Sequence, residues 1–429
     1  MTYKLPLFLI LLSFSQMTFG QEAPTIEKQY IKAIEKLAKN KKIQKAFEYI
    51  KAMDATTMER HIELTEIEAP PFKEEKRALV YEDYFRTLGL DSVWIDEVGN
   101  VLGLYKGSEG QRTVALDAHL DTVFPEGTDV KVRVKNDTLF APGIGDDTRA
   151  LSMLLTIIES MKATNIQPKD NILFVGTVGE EGLGDLRGVK HLFRDNGPQI
   201  DSWIAIDGGE IGRVNNKGLG SYRYRVIFKG PGGHSWGAFG LANPHHALGE
   251  AISNFVAAAD VYTAEGPKTS YNVGVISGGT SINSIPFESI MEIDIRSIDP
   301  SRLDAMEVLL EEAVNKALTH QNGIKRQGPN LTVLIDKIGN RPSGELSDSL
   351  PLIQRVLAAT SYFGAKPYLT RGSTDSNIPI AKGIPAVTIG RGGKGGKAHS
   401  LDEWWLNDEG YKAIQLAMLI VLSDSQLVK

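Results

Sequence analysis

At 429 residues the chain is too long for one ordinary hydrophobic core, so more than one structural unit is expected. Its 42% hydrophobic and 23% charged residues exclude an intrinsically disordered protein, and a net charge of -6 gives no basic footprint for nucleic acid and no attraction to an acidic membrane. With no cysteine, disulfides, thiolate metal ligands and a thiol nucleophile are all excluded.

The first element is a targeting segment. Lys4 is a weakly positive start, Leu5 to Phe14 is apolar, and Thr18-Phe19-Gly20 offers small residues for cleavage. Residues 1–20 therefore read as a secretory signal, with Gln21 as the mature start and a periplasmic or secreted location expected. The apolar run is too short to cross ~30 Å of hydrocarbon, so no stable membrane anchor is expected.

Residues 21–60 hold apolar side chains at helical spacing (Ile31, Ile34, Leu37, then Phe47, Ile50), the pattern of surface helices. Arg77 to Leu88 is a helix candidate ended by Gly89. The period then changes to that of strands at Val93 to Ile95, Val101 to Tyr105 and Thr113 to Ala118. Ala150 to Met161 reads as a buried helix, and Ile172 to Val178 and Ser202 to Ile206 read as apolar strands. Strands alternating with helices predict an α/β fold whose mixed, mostly parallel sheet is covered by helices.

Near Asn215 the style changes. Ser221 to Phe228, Tyr271 to Ile276, Ser289 to Ile295 and Leu331 to Ile335 read as strands; Pro244 to Ala258 and Leu303 to Leu318 read as helices. The first style resumes with Leu350 to Ser361, Ala386 to Ile389 and Glu409 to Leu422. The expected organisation is a catalytic unit over 21–216 and 339–429, interrupted by an inserted α+β unit over 217–338.

Metal-capable side chains recur along the chain in a definite order, and His119, Glu180 and Asp207 each come just after an apolar run. The series is His119 and Asp121 in Leu116-Asp117-Ala118-His119-Leu120-Asp121-Thr122-Val123, Asp146 in Gly143-Ile144-Gly145-Asp146-Asp147, the pair Glu180-Glu181, Asp207 in Ile206-Asp207-Gly208-Gly209, and His399 in Ala398-His399-Ser400. Imidazole suits zinc and carboxylates can bridge two ions, so two histidines and three acids of this series make a two-metal site. A glutamate next to a ligand is the expected base for activating water, and Asp121 can orient a neighbouring group. For Asp146-Asp147 the plain alternative is a helix N-cap. The glycine-rich Gly390 to Lys397 run is not a phosphate loop, because Arg391 and Ala398 stand where that motif needs glycine and a hydroxyl residue. His234, at a turn of the insert, can reach a substrate, whereas His61, His191, His245, His246 and His320 read as structural.

Taken together, the H-x-D-T-V, E-E and I-D-G-G elements resemble the co-catalytic zinc peptidases and amidohydrolases that include glutamate carboxypeptidase, peptidase T, acetylornithine deacetylase and succinyl-diaminopimelate desuccinylase. The resemblance runs from about Glu63 to the C-terminus and takes in Ala69-Pro70-Pro71-Phe72 and Gly99-Asn100-Val101. It implies a zinc-exopeptidase-like catalytic unit with an inserted lid or dimerisation unit. It also implies Zn2+ at two sites per subunit, with Co2+ or Mn2+ as substitutes. Asp146 would bridge, His119 and Asp207 would complete one site, and Glu181 and His399 the other. Glu180 would be the general base, Asp121 would support His119, and the Asp146–Asp147 bond would be cis. His234, Asn283, Arg296 and Arg371 would contact substrate, Arg371 by gripping a free carboxylate. One departure is that Thr148-Arg149 replaces the Lys-Gly that follows the bridging acid and its neighbour in many relatives.

The expected activity is hydrolysis of amide bonds in small peptides by an exopeptidase of tripeptidase or carboxypeptidase type. The alternatives are deacylation of an N-acyl amino acid with the same ligands and a non-catalytic binding protein on this fold. A homodimer through the insert follows from the resemblance alone.

Overall fold

The computed structural model describes residues 24–428, so the expected signal over 1–20 lies outside the described residues. The central sheet has nine strands. Its order is Ser92–Ile95, Val101–Tyr105, Asn171–Thr177, Thr113–His119, Ser202–Ile206, Ala386–Ile389, Arg213–Gly218 and Gly344–Glu345, with Tyr368–Gly372 also paired to Arg213–Gly218. The inner strands Asn171–Thr177, Thr113–His119, Ser202–Ile206 and Ala386–Ile389 run parallel; Val101–Tyr105 and Arg213–Gly218 flank them antiparallel. This is the mixed, mostly parallel α/β sheet that the sequence pattern implies.

Successive residues of an inner strand point to opposite faces, and here they feed two different cores. Val114, Leu116, Ile172, Phe174, Ile204 and Ile206 pack with the helices Thr148–Ala163, Pro351–Tyr362 and Tyr411–Asp424. Ala115, Leu173, Val175, Trp203 and Ala205 pack on the other face with Val189 and Leu192 of the short helix Arg187–Leu192. Thr148–Ala163 is buried nearly all round because it is enclosed between the sheet and neighbouring helices. Those helices, Lys28–Ala38, Lys41–Ala52 and Asp54–Thr65, are more than surface cover, since Ile34, Ile43 and Ile50 are fully buried in the main core.

Between Gly218 and Gly344 the chain builds a separate four-stranded antiparallel sheet, in the order Thr269–Gly278, Glu288–Ser297, Gly220–Lys229, Thr332–Arg341. Its strict alternation of buried and part-exposed positions leaves one face for the helices Pro244–Thr263 and Pro300–Ile324. Both helices start from a capping side chain followed by proline: Asn243 accepts the His245 N–H and Asp299 accepts the Ser301 N–H, each at 2.9 Å. The insert's last strand residue, Arg341, is the ladder partner of Ser221 near its first, so the chain leaves and rejoins the central sheet at one place.

Candidate active site

The parallel strands end at the same edge of the sheet, where ligands bind in open α/β folds. His119 is the last residue of its strand, Glu180 and Glu181 follow Asn171–Thr177 by a short turn, and Asp207 follows Ser202–Ile206 directly. Asp146 lies just before Thr148–Ala163, across a cis bond to Asp147. His399 arrives on the loop beyond Ala386–Ile389, in a left-handed backbone conformation (φ 64°).

These side chains converge. His119 Nε2 is 3.0 Å from Asp146 Oδ1, while His399 Nε2 is 3.2 Å from Asp146 Oδ2 and 2.9 Å from Glu181 Oε1. His119, Asp146 and Asp207 each present a donor atom within 4.8 Å of the others, and so do Asp146, Glu181 and His399. Asp146 belongs to both groups, with one oxygen toward each imidazole, so the donor set fits a pair of divalent cations sharing a carboxylate. The donors are nitrogen and oxygen only, as a chain without cysteine requires. Burial works against the Asp146 charge, but hydrogen bonds from His119 and His399 hold its carboxyl below the usual range.

Around this cluster lie residues that fix it. The Asp121 carboxylate accepts the backbone N–H groups of Glu180 (3.0 Å) and Glu181 (2.8 Å), and its carbonyl oxygen meets His119 Nδ1 at 3.0 Å. Asp121 thus meets the imidazole through its backbone and the glutamate turn through its side chain. Asp147 occupies the N-cap position of Thr148–Ala163, but its side chain makes no capping bond and accepts the His119 N–H at 3.3 Å instead. Glu180 is buried, which pushes its carboxyl well above the usual range against the opposing pull of Arg341.

Three fixing residues carried no motif in the sequence. Glu403 accepts the N–H groups of Gly143, Gly145 and Asp146, and so holds the turn that presents Asp146. Arg341, 4% exposed, donates to Glu180 Oε1 at 3.1 Å and also to the Glu180 carbonyl. Arg391 is buried between Gly145, Gly208 and Gly395, where a Cβ on any of these glycines would meet its guanidinium. Only the position of Glu403, four residues after His399, could have hinted at its part.

The expected substrate residues lie elsewhere. His234 and Asn283 sit together on the insert: Gly233–His234 pairs with Ser284–Ile285, and the Ser235 N–H donates to the Asn283 carbonyl. Both are exposed, and the turn N–H of Trp236 donates to His234 Nδ1 at 3.1 Å. Arg296 donates to Asp294 at 2.7 Å on the insert sheet. Arg371 donates to the carbonyls of Gly218 and Gly344 and to Glu345 at the edge of the central sheet. Among the described residues, none of these four makes a hydrogen bond or ion pair with the His119–His399 cluster.

The chain is similar to known proteins over most of its length. The solved structures similar to this chain include aminopeptidase PepT from Bacillus cereus (TM-score 0.66, 21% identity, 86% of this chain and 98% of that one). A tripeptidase from Staphylococcus aureus superposes with TM-score 0.67 at 22% identity over 86% of this chain and 97% of that one. The di-peptidase Dug1p from Saccharomyces cerevisiae does so with TM-score 0.68 at 16% identity over 89% and 98%. The uncharacterized protein YqjE of Bacillus subtilis is 23% identical over 377 residues, 85% of this chain and 97% of that protein. The model of peptidase family M20/M25/M40 matches residues 115–423, which spans the cluster from His119 to His399. The chain therefore belongs to peptidase family M20/M25/M40 and is a hydrolase acting on peptide bonds.

Proposed function

We propose that this protein is an extracytoplasmic di-zinc exopeptidase that trims small peptides. The observation that carries the reading is Asp146 placed between His119 and His399, shared by two donor groups that Asp207 and Glu181 complete. His119, Asp146 and Asp207 would hold one ion and Asp146, Glu181 and His399 the other; Zn2+ suits these donors, and Co2+ or Mn2+ would substitute. When bound, two such ions supply Lewis acidity and lower the pKa of water.

The chain's own groups supply the proton chemistry. Glu180 belongs to neither of the groups that share Asp146, although it lies within 4.8 Å of His119 and Glu181 donor atoms, and burial raises its affinity for a proton. Its carboxylate accepts a proton from the attacking water and passes it to the leaving amine nitrogen. Asp121 holds the Glu180–Glu181 turn so that the Glu181 carboxylate faces His399 while that of Glu180 faces Arg341. His234 and Asn283 would meet the substrate from the insert, with His234 stabilising the carbonyl oxygen as negative charge develops there. Arg296 and Arg371 are proposed to orient the peptide, and pairing of two inserts would give a homodimer.

The location rests on Lys4, the apolar Leu5 to Phe14 run and Thr18-Phe19-Gly20. No helix among the described residues is long and apolar enough to cross a membrane. Product analysis on di- and tripeptides and on N-acyl amino acids, with and without chelator, tests the substrate class. Release of single residues from peptides, abolished by chelator and restored by zinc, is expected; turnover of N-acyl amino acids alone would make the protein a deacylase. Glu180→Gln should keep the metal and lose roughly 100-fold or more in kcat. A fully active Glu180→Gln protein would remove the base from the scheme.

A further inference from the structure

Glu180 is a long, rotatable side chain whose carboxylate lies within 4.8 Å of donor atoms of His119 and Glu181, so its service as a base depends on what aims it. Among the described residues, the donor that reaches its carboxylate is Arg341. This arginine does not come from the catalytic core. It is the final residue of Thr332–Arg341, the insert strand that returns the chain to the central sheet. Its Nη1 donates to Glu180 Oε1 and to Ser373 Oγ, both at 3.1 Å, and its Nη2 donates to the Glu180 carbonyl. The two prongs of one guanidinium therefore grip both the backbone and the side chain of a single residue, which restricts the torsions between them. A lysine ammonium has no such planar fork.

Neighbouring insert residues hold the same turn. The Asn340 N–H donates to both carboxylate oxygens of Asp185 at 3.0 and 2.9 Å. Arg223, on the adjacent strand, donates to the Gly182 carbonyl and to Asp294. These contacts seat the insert on the backbone of residues 180–185, and Arg341 is the one that extends to the reacting carboxylate.

We propose that Arg341 is a positioning residue that aims the Glu180 carboxylate from the insert. The inference rests on Glu180 serving as the base of the hydrolysis proposed above. A base displaced by about an ångström loses on the order of 100-fold in rate without weakening substrate binding, so the signature is in kcat rather than KM.

The test uses the full mature chain loaded with zinc, the di- and tripeptide panel, and the variants Arg341→Ala, Arg341→Lys and Glu180→Gln. Metal content and melting temperature are read for each variant before activity. Arg341→Ala is expected to hold as much zinc as the unaltered protein while kcat falls roughly 30- to 100-fold and KM stays within about threefold. Arg341→Lys should recover only part of the loss. Millimolar guanidinium, but not sodium chloride at equal ionic strength, should restore several-fold activity to Arg341→Ala.

Unchanged kcat in a folded, loaded Arg341→Ala protein would overturn the proposal. So would zinc loss in both arginine variants in proportion to lost activity, which would reduce Arg341 to a structural staple. If Arg341→Ala does not fold, Arg341→Lys decides: a kcat loss at constant KM and zinc content supports the proposal, while full activity or failure to fold overturns it. An active Glu180→Gln protein removes the base assignment itself, whereas an inactive one beside a fully active Arg341→Ala protein sinks only the present inference.

Discussion

Replacing Glu403 by alanine should loosen the turn that presents Asp146. Glu403 is 1% exposed, and its Oε1 accepts the N–H groups of Gly145 (2.8 Å) and Asp146 (3.0 Å) while Oε2 accepts that of Gly143 (2.9 Å). Burial, with the Asp146 charge adding to it, pushes this carboxyl up to about 7, so the comparison belongs at pH 8, where it is ionised. Hydrogen bonds to a charged acceptor contribute roughly 1.5 kcal/mol each, so losing three costs about 4–5 kcal/mol. An unfolding entropy of ~2.1 cal/mol/K per residue over about 400 residues gives ~0.85 kcal/mol/K, hence a fall in Tm of about 5 °C. Glu403→Gln retains an oxygen acceptor for Gly145 and Asp146 and should lose about half as much. Scanning fluorimetry in excess chelator isolates this effect from metal binding. Titration against a chromogenic zinc chelator then reads the site itself, where affinity should weaken roughly 10- to 100-fold. A Glu403→Ala protein that melts with the unaltered chain in chelator and binds zinc as tightly would refute the reasoning.

Two further perturbations probe the surroundings. Burial, reinforced by the nearby Arg149 and Arg391 charges, lowers the His61 pKa to about 3, and its Nε2–H donates to the Ile144 carbonyl while Nδ1 is enclosed without a partner. Because the folded value lies below the ordinary 6.5, the stability it contributes is present above pH 6.5 and is lost as pH falls toward 3. Between pH 8 and pH 5 this amounts to roughly 2 kcal/mol, so melting of His61→Gln should fall less steeply with acid; parallel curves would contradict it. At Gly184 an added Cβ would lie 2.4 Å from the Gly179 Cα and 2.7 Å from its carbonyl carbon and oxygen. Gly184→Ala must therefore spread the turn bearing Glu180 and Glu181, at a cost of about 1–3 kcal/mol and at least ~10-fold in peptide turnover. Wild-type melting and turnover would show that the turn relaxes freely.

Several strands of the central sheet were legible because each is a short, continuous apolar run: Val101–Tyr105, Ser202–Ile206 and Ala386–Ile389 have the expected limits. Arg213–Gly218 was not, since Asn215 and Asn216 are buried on a polar strand whose pattern gives no apolar signal. The N-terminal helices were recognised but not their burial, because amphipathic spacing shows that a face is covered and not by what. Within the site, His119, Glu180 and Asp207 announced themselves by standing after apolar runs. Glu403, Arg341 and Arg391 did not, because acceptance of backbone N–H groups, a grip across the insert and a cage of glycines are relations between distant segments. The exposed positions of His234 and Asn283 follow from a small two-stranded ladder between distant segments of the insert, whose pairing no local pattern reveals.

Asp146 meets His119 from 27 positions away but His399 from 253 positions further along the chain. A polypeptide made from its amino end therefore emerges with a half-formed centre, and its second imidazole is added close to the end of synthesis. Until then His119, Asp146 and Asp207 can gather only one of the two donor groups. Vectorial synthesis thus puts a working order into the molecule, because a nascent or truncated chain that stops before residue 399 carries most of the fold yet lacks the completed centre.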